Sequence, residues 1–260
     1  MTNTATTTTT PMSRPGEVAG WPKLVITYTT SERHIASLLP PGIRPLEPTV
    51  TVGFYCVPVL GEPERGVSVK VPAAWSGVEG YYSLGLGIDQ EAAVHISGET
   101  NGQPKFLCDV VFFRLGDTVT ARASHQGYTF VEFSGRVVGE AQPREGDFTE
   151  HEWWTKYSRA IGGASGEYDF PPHVVDVATT FEQRHLEDID GNLLLRDSPW
   201  DPIAHHLPIV EQGTAQLVTH QPKARVITNG GPLDPAAFWP FADVIGGSRW
   251  PGDRGGPCRS

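Results

Sequence analysis

Cysteine is scarce in this 260-residue chain: three residues, Cys56, Cys108 and Cys258, an odd number at wide spacing. That excludes a disulfide framework, and the absence of any Cys-x-x-Cys or His-Glu-x-x-His run leaves the nine histidines without zinc-type spacing. No metal is therefore expected, and no bound cofactor either, since the Gly-rich runs at 162–168 and 229–234 lack the strand-to-helix setting that phosphate binding requires. Basic charge is also short. Twenty Lys and Arg face thirty Asp and Glu, giving a net charge of −10, which argues against nucleic acid or an anionic membrane as a partner. Long apolar runs are missing too. The opening MTNTATTTTTPMSRPGEVAG has no secretory core and no later stretch spans a bilayer, so a cytoplasmic location is expected. The Thr-rich residues 1–20 have almost nothing to bury and are expected to be disordered, leaving 21–260 as one domain.

Turn formers, by contrast, are abundant, with 29 Gly and 23 Pro. Between them lie segments rich in β-branched and aromatic residues: LVITYTT (24–30), TVTVGFYCVPVL (49–60), YYSLGLGI (81–88), AAVHIS (92–97), KFLCDVVFFRL (105–115), TVTARASH (118–125), YTFVEFSGRVV (128–138), VVDVATTFEQRHL (174–186) and PKARVI (222–227). Spacing of about ten residues predicts an antiparallel barrel or sandwich. Two helices are predicted: SERHIASLL (31–39) with Ser31 as N-cap, and TEHEWWTKYSRAIGG (149–163), where Trp153, Tyr157 and Ile161 recur at four-residue steps. The Pro- and Gly-dense end from Gly230 reads either as a drape over the domain or as a subunit contact.

One lysine draws notice. Lys105 follows Pro104 and opens an apolar run whose two faces, alternating from 105 and from Phe106, both read as buried. Either its ammonium lies in water at a strand entry, or it points into a closed apolar cavity as an amine nucleophile. An ordinary lysine, pKa about 10.4, is neutral in only about one molecule in a few thousand at pH 7. Desolvation favours the neutral, reactive form.

The segment GYYSLGLGIDQEAAVHISGETNGQPKF resembles the central motif of the acetoacetate decarboxylase family, with Gly80, Tyr82, Asp89, Glu91, Gly98, Glu99, Pro104 and Lys105 at matching places. LVITYTTSERHIASLLPPGIRPLEP, HQGYTF and HLPIVE resemble further family segments, so the likeness runs from about residue 24 to 228. It implies an α+β, mainly β fold, an antiparallel cone-shaped β-barrel with a few flanking helices in a homo-oligomer. It also implies that Lys105 forms a Schiff base with a small keto acid, a chemistry known for acetoacetate decarboxylase.

The chain departs from the family pattern. Phe106 stands where the decarboxylases have a second lysine, Trp21 where they have a substrate-side arginine, and Gly53 and the neighbourhood of Gly66 where they have acids; Glu64 lies two positions from the last. The candidate catalytic residues are Lys105, Glu99 and Glu64. Candidate substrate contacts are Tyr82, Asn101, Gln103, Phe106, Trp21 and Arg114. For several a plainer role competes: a turn for Glu99, Asn101 and Gln103, the core for Tyr82, a surface ion pair for Arg114. The expected activity is that of an imine-forming lyase, with decarboxylation slightly ahead of aldol, dehydration or cyclisation chemistry on a 2-oxo acid such as pyruvate. A barrel that binds a small molecule without turnover is the competing class.

Overall fold

The computed structural model describes residues 20–59 and 61–242; of Gly20 and Trp21 only the backbone is described. The predicted N-terminal disorder, Cys258 and the last part of the C-terminal segment lie outside the described residues.

Among the described residues, twelve strands and four helices follow in chain order: β1 (Gly20–Thr29), α1 (Glu32–Ala36), β2 (Arg44–Pro45), β3 (Thr49–Val59), β4 (Glu62–Trp75), β5 (Val78–Ile88), α2 (Glu91–Asn101), β6 (Lys105–Leu107), β7 (Asp109–Leu115), β8 (Thr118–His125), β9 (Tyr128–Glu140), β10 (Asp147–Arg159), β11 (Tyr168–Leu195), α3 (Ile203–His206), β12 (Glu211–Pro232) and α4 (Pro235–Ala242). The fold is mainly β, as expected. The sheet runs β10-β5-β4-β3-β1-β12-β11-β9-β8-β7, and β10 also pairs with β11, so seven strands close into a ring. Pairing is antiparallel with two exceptions, because β5 runs parallel to both β6 and β10. The expectation of a wholly antiparallel sheet is corrected there.

Alternation divides each ring strand between two environments. On β1, Leu24, Ile26 and Tyr28 enter the main core together with Val50, Val52 and Phe54 of β3 and Val67, Val69 and Val71 of β4. Residues of opposite parity turn to the other face of the ring. Beyond it, β9, β8 and β7 extend the sheet and supply Phe130, Phe133, Val119, Ala121 and Phe112 to the same core.

Four expectations about local structure need correction. AAVHIS is not a strand but part of α2: Ala93 is buried while His95 and Ile96 are exposed, a one-sided pattern rather than alternation. TEHEWWTKYSRAIGG is not a helix; Asp147–Arg159 pairs with β11 along nearly its whole length. Its adjacent tryptophans explain why: Trp153 joins the main core and Trp154 packs with Val175 and Val177. Neighbours are sent to opposite sides by a strand, not by a helix. The run from Lys105 breaks at Cys108 into β6 and β7, and the face that Lys105 opens is not buried throughout, since Leu107 and Asp109 are exposed. Finally, β4 is a strand that the turn-and-run pattern does not predict.

The predicted N-cap of α1 is present, with Ser31 accepting a hydrogen bond from the His34 amide at 3.3 Å. The described part of the C-terminal segment, α4, lies against the domain through Phe238 and Ala242.

Candidate active site

Local geometry fixes where Lys105 points. The α2 helix ends at Gly102 in the left-handed region (φ +65°), and a Cβ there would lie 2.4 Å from the Thr155 carbonyl oxygen on β10, so only glycine lets the helix end dock so closely. Lys156 secures the same end by donating to the Glu99 and Thr100 carbonyls at 2.6 and 2.8 Å. The chain then crosses to β5, where the Leu86 amide donates to the Pro104 carbonyl at 2.9 Å and Lys105 is placed beside Leu86.

From there the Lys105 side chain enters a cavity of about 500 Å3 to which all seven ring strands contribute. Lys23, Tyr55, Glu64, Leu86, Glu152, Phe181 and His220 represent one strand each. The Lys105 ammonium lies 3.0 Å from Glu64 Oε2, and both side chains are almost out of solvent, at 7% and 3% exposure. The other Glu64 oxygen accepts a hydrogen bond from the Tyr55 hydroxyl at 3.0 Å. Burial, then the charge of Glu64, push the Tyr55 phenol well up, so it stays a donor.

A second group of charges lies in or beside the same cavity. Lys70 is paired with Glu150. Glu152 accepts from Ser83 Oγ at 2.6 Å and from Trp154 Nε1 at 2.5 Å. Burial, reinforced by repulsion from Lys70, lowers Lys23 to about 8 against the pull of Glu150 and Glu152. Burial, then the charge of Lys23, lowers His220 to about 4, so its imidazole is neutral at pH 7. The expected apolar cavity is thus corrected: apolar walls are present, but the amine meets a carboxylate rather than hydrocarbon alone.

Two glycines make the arrangement possible. A Cβ on Gly66 would lie 2.2 Å from Tyr55 Cζ, and one on Gly53 would lie 2.5 Å from Lys23 Cε. The positions that looked like lost acids are the spaces in which Tyr55 and Lys23 lie.

Of the sequence candidates, the structure brings together Lys105, Glu64, Asn101 and Gln103, all lining the cavity. Glu99 is exposed near the end of α2 and does not line it, because the helix turns that position outward. Tyr82 is buried in the main core on the opposite face. Phe106, one residue from Lys105 and so on the other face of β6, packs on His125 at 4.7 Å between ring centroids. Arg114 makes a two-pronged ion pair with Glu187 at 2.5 and 2.8 Å on β7, away from the cavity. Trp21's side chain lies outside the description. Sequence reasoning misses Lys23, Tyr55, Lys70, Glu152 and His220. For Lys70 a signal is present: Gly-Val-Ser-Val-Lys-Val over 66–71 alternates strictly, with its polar members on the cavity face. A larger cleft of about 640 Å3 opens beside Glu150 but is lined by no lysine.

A ring of strands closed around a buried lysine–glutamate pair defines a small-molecule cavity with an amine inside it, and comparison with known proteins assigns the family. The acetoacetate decarboxylase family model matches residues 1–226, and the chain belongs to that family. Among solved structures it is similar to one described in a structural study of acetoacetate decarboxylase, with TM-score 0.71, 17% identity, and coverage of 85% of this chain and 93% of the other. The acetoacetate decarboxylase of Legionella pneumophila is similar at TM-score 0.69 and 17% identity, covering 87% and 92%. So is MppR, an enduracididine biosynthesis enzyme complexed with the condensation product of pyruvate and imidazole 4-carboxaldehyde, at TM-score 0.64 and 15% identity, covering 86% and 91%. No curated protein matches the chain.

Proposed function

We propose that the chain is a lyase that binds a small keto acid covalently as an imine on Lys105, with decarboxylation the leading reaction. The observation that carries this reading is the buried Lys105–Glu64 pair inside the ring cavity. Only a neutral amine attacks a carbonyl, and Glu64, 3.0 Å away, accepts the proton that Lys105 sheds. Nζ then adds to the substrate carbonyl carbon, and Glu64 returns the proton as the carbonyl oxygen departs as water, leaving a protonated imine. When the carboxylate of a 3-keto acid leaves as carbon dioxide, its bonding pair moves into the imine and forms an enamine. Protonation at carbon and hydrolysis release the ketone and restore Lys105. The imine is itself the electron sink, so no cofactor is called for.

Aldol-type condensation of pyruvate is the second reading, favoured by the MppR neighbour and its bound condensation product. It uses the same imine, deprotonated to an enamine that attacks an aldehyde. One experiment addresses both readings. The protein is mixed separately with acetoacetate and pyruvate, reduced with borohydride, and mapped by peptide mass spectrometry beside Lys105→Ala. A reduced adduct on the Lys105 peptide, with carbon dioxide released from acetoacetate, is expected. An adduct with pyruvate alone, without gas release, moves the assignment to condensation, and no adduct with either acid overturns the imine.

A further inference from the structure

Lys23 differs from its neighbours in the cavity. Lys70 is paired with Glu150 and Lys105 with Glu64, whereas the Lys23 side chain makes no hydrogen bond or ion pair with the described residues. The surrounding groups are already engaged or uncharged. Glu150 is held by Lys70, Glu152 by Ser83 and Trp154, and Tyr55 is tied to Glu64. His220, on neighbouring β12, is held neutral at pH 7. A half-buried ammonium in the cavity, with no side-chain partner among the described residues, has donors to offer an anion.

We propose that Lys23 receives the substrate carboxylate, so that this site selects keto acids over neutral ketones and turns their carbonyl toward Lys105. The inference rests on the imine reading given above. Its geometry comes from the register. Gly53, Ser68, Leu86 and Lys105 are successive partners across β3, β4, β5 and β6 on one face. The Lys23 amine lies over the first of these, 3.1 Å from where a Gly53 Cβ would be, with Ser68 Oγ 2.9 Å from the same point. The two lysines therefore occupy opposite ends of a row three strand spacings long, about 14 Å between backbones. Both side chains line the one cavity, and a small keto acid held between them would present its carboxylate to Lys23 and its carbonyl to Lys105. With a pKa of about 8, Lys23 is mostly cationic at pH 7, and its hold on an anion declines as pH rises through that value.

The test measures borohydride trapping at Lys105 against concentration, for pyruvate and for methyl pyruvate, which carries the same ketone without the charge. Lys23→Met is expected to raise the half-saturating pyruvate concentration by about 10-fold to 100-fold, the usual worth of a charge-assisted hydrogen bond, and to leave the ester unchanged. Gly53→Ala, which displaces the Lys23 amine without removing it, is expected to shift pyruvate in the same direction. An unchanged pyruvate curve in Lys23→Met overturns the proposal, as does equal weakening of acid and ester in both variants. If the wild-type protein traps acetoacetate but not pyruvate, the same comparison is read with acetoacetate and methyl acetoacetate; if it traps none of these compounds, the imine reading itself fails, an outcome distinct from loss of the acid preference alone.

Discussion

Removing one partner of the Lys105–Glu64 pair leaves the other buried without a counter-charge. With exposures of 7% and 3%, little solvent reaches either group, so the discount that applies to surface pairs does not apply here. Glu64→Leu is expected to cost about 3–5 kcal/mol, the usual penalty for breaking a buried pair from one side, and it also deprives the Tyr55 hydroxyl of its acceptor. Lys105→Met has the converse effect on Glu64. The double variant replaces both charges with apolar groups and is expected to recover about 2–3 kcal/mol relative to the sum of the singles. Urea unfolding followed by tryptophan fluorescence reads this directly, since Trp153 and Trp154 are both buried. The thermal counterpart for Glu64→Leu is a fall of about 10 °C. Single-variant costs that add to within about 0.5 kcal/mol would refute the pairing.

Lys23→Met is expected to stabilise the folded chain at pH 7 by about 1–3 kcal/mol, by equilibrium unfolding, because burial has pushed the ammonium down to about 8 and charging it costs folding energy. For the same reason wild-type stability should rise between pH 8 and the ordinary lysine value, a rise that Lys23→Met removes. His220 has a folded pKa of about 4, below its ordinary value. The unfolded chain therefore binds the extra proton first, and stability should fall as pH drops from about 6.5 toward 4. Partial exposure limits that loss to about 1–2 kcal/mol, and His220→Gln should flatten it in a pH series of unfolding curves. Gly66→Ala should expel the Tyr55 ring, whose Cζ would lie 2.2 Å from the new Cβ, lowering the trapping rate at Lys105 at least as far as Tyr55→Phe does. A Gly66→Ala protein that traps like wild type would contradict the contact.

The sequence disclosed Lys105 as a candidate and the β-rich class because both rest on local signals: a Pro-Lys pair at the head of an apolar run, and β-branched runs punctuated by turns. It concealed whatever depended on pairing partners. The Trp153–Trp154 stretch has a helical four-residue step by coincidence, and the two strands flanking it override that step. On β4, Pro63, Glu64, Arg65, Lys70 and Pro72 interrupt the apolar run and mask a strand whose polar members belong inside a ring. Lys23 and Glu64 lie on β1 and β4, strands that do not pair with each other, and only closure of the ring gives them one cavity.

The bare positions at Gly53 and Gly66 bear on how such a cavity can evolve. Restoring an acid at Gly53 to match the wider family would not add a carboxylate beside the present residues; it would claim the volume in which the Lys23 amine now lies. Likewise any side chain at Gly66 competes with the phenol that steadies Glu64. The polar complement of this cavity is therefore inherited as a set, and single-residue grafts from relatives should fail even where each donor residue works in its own protein.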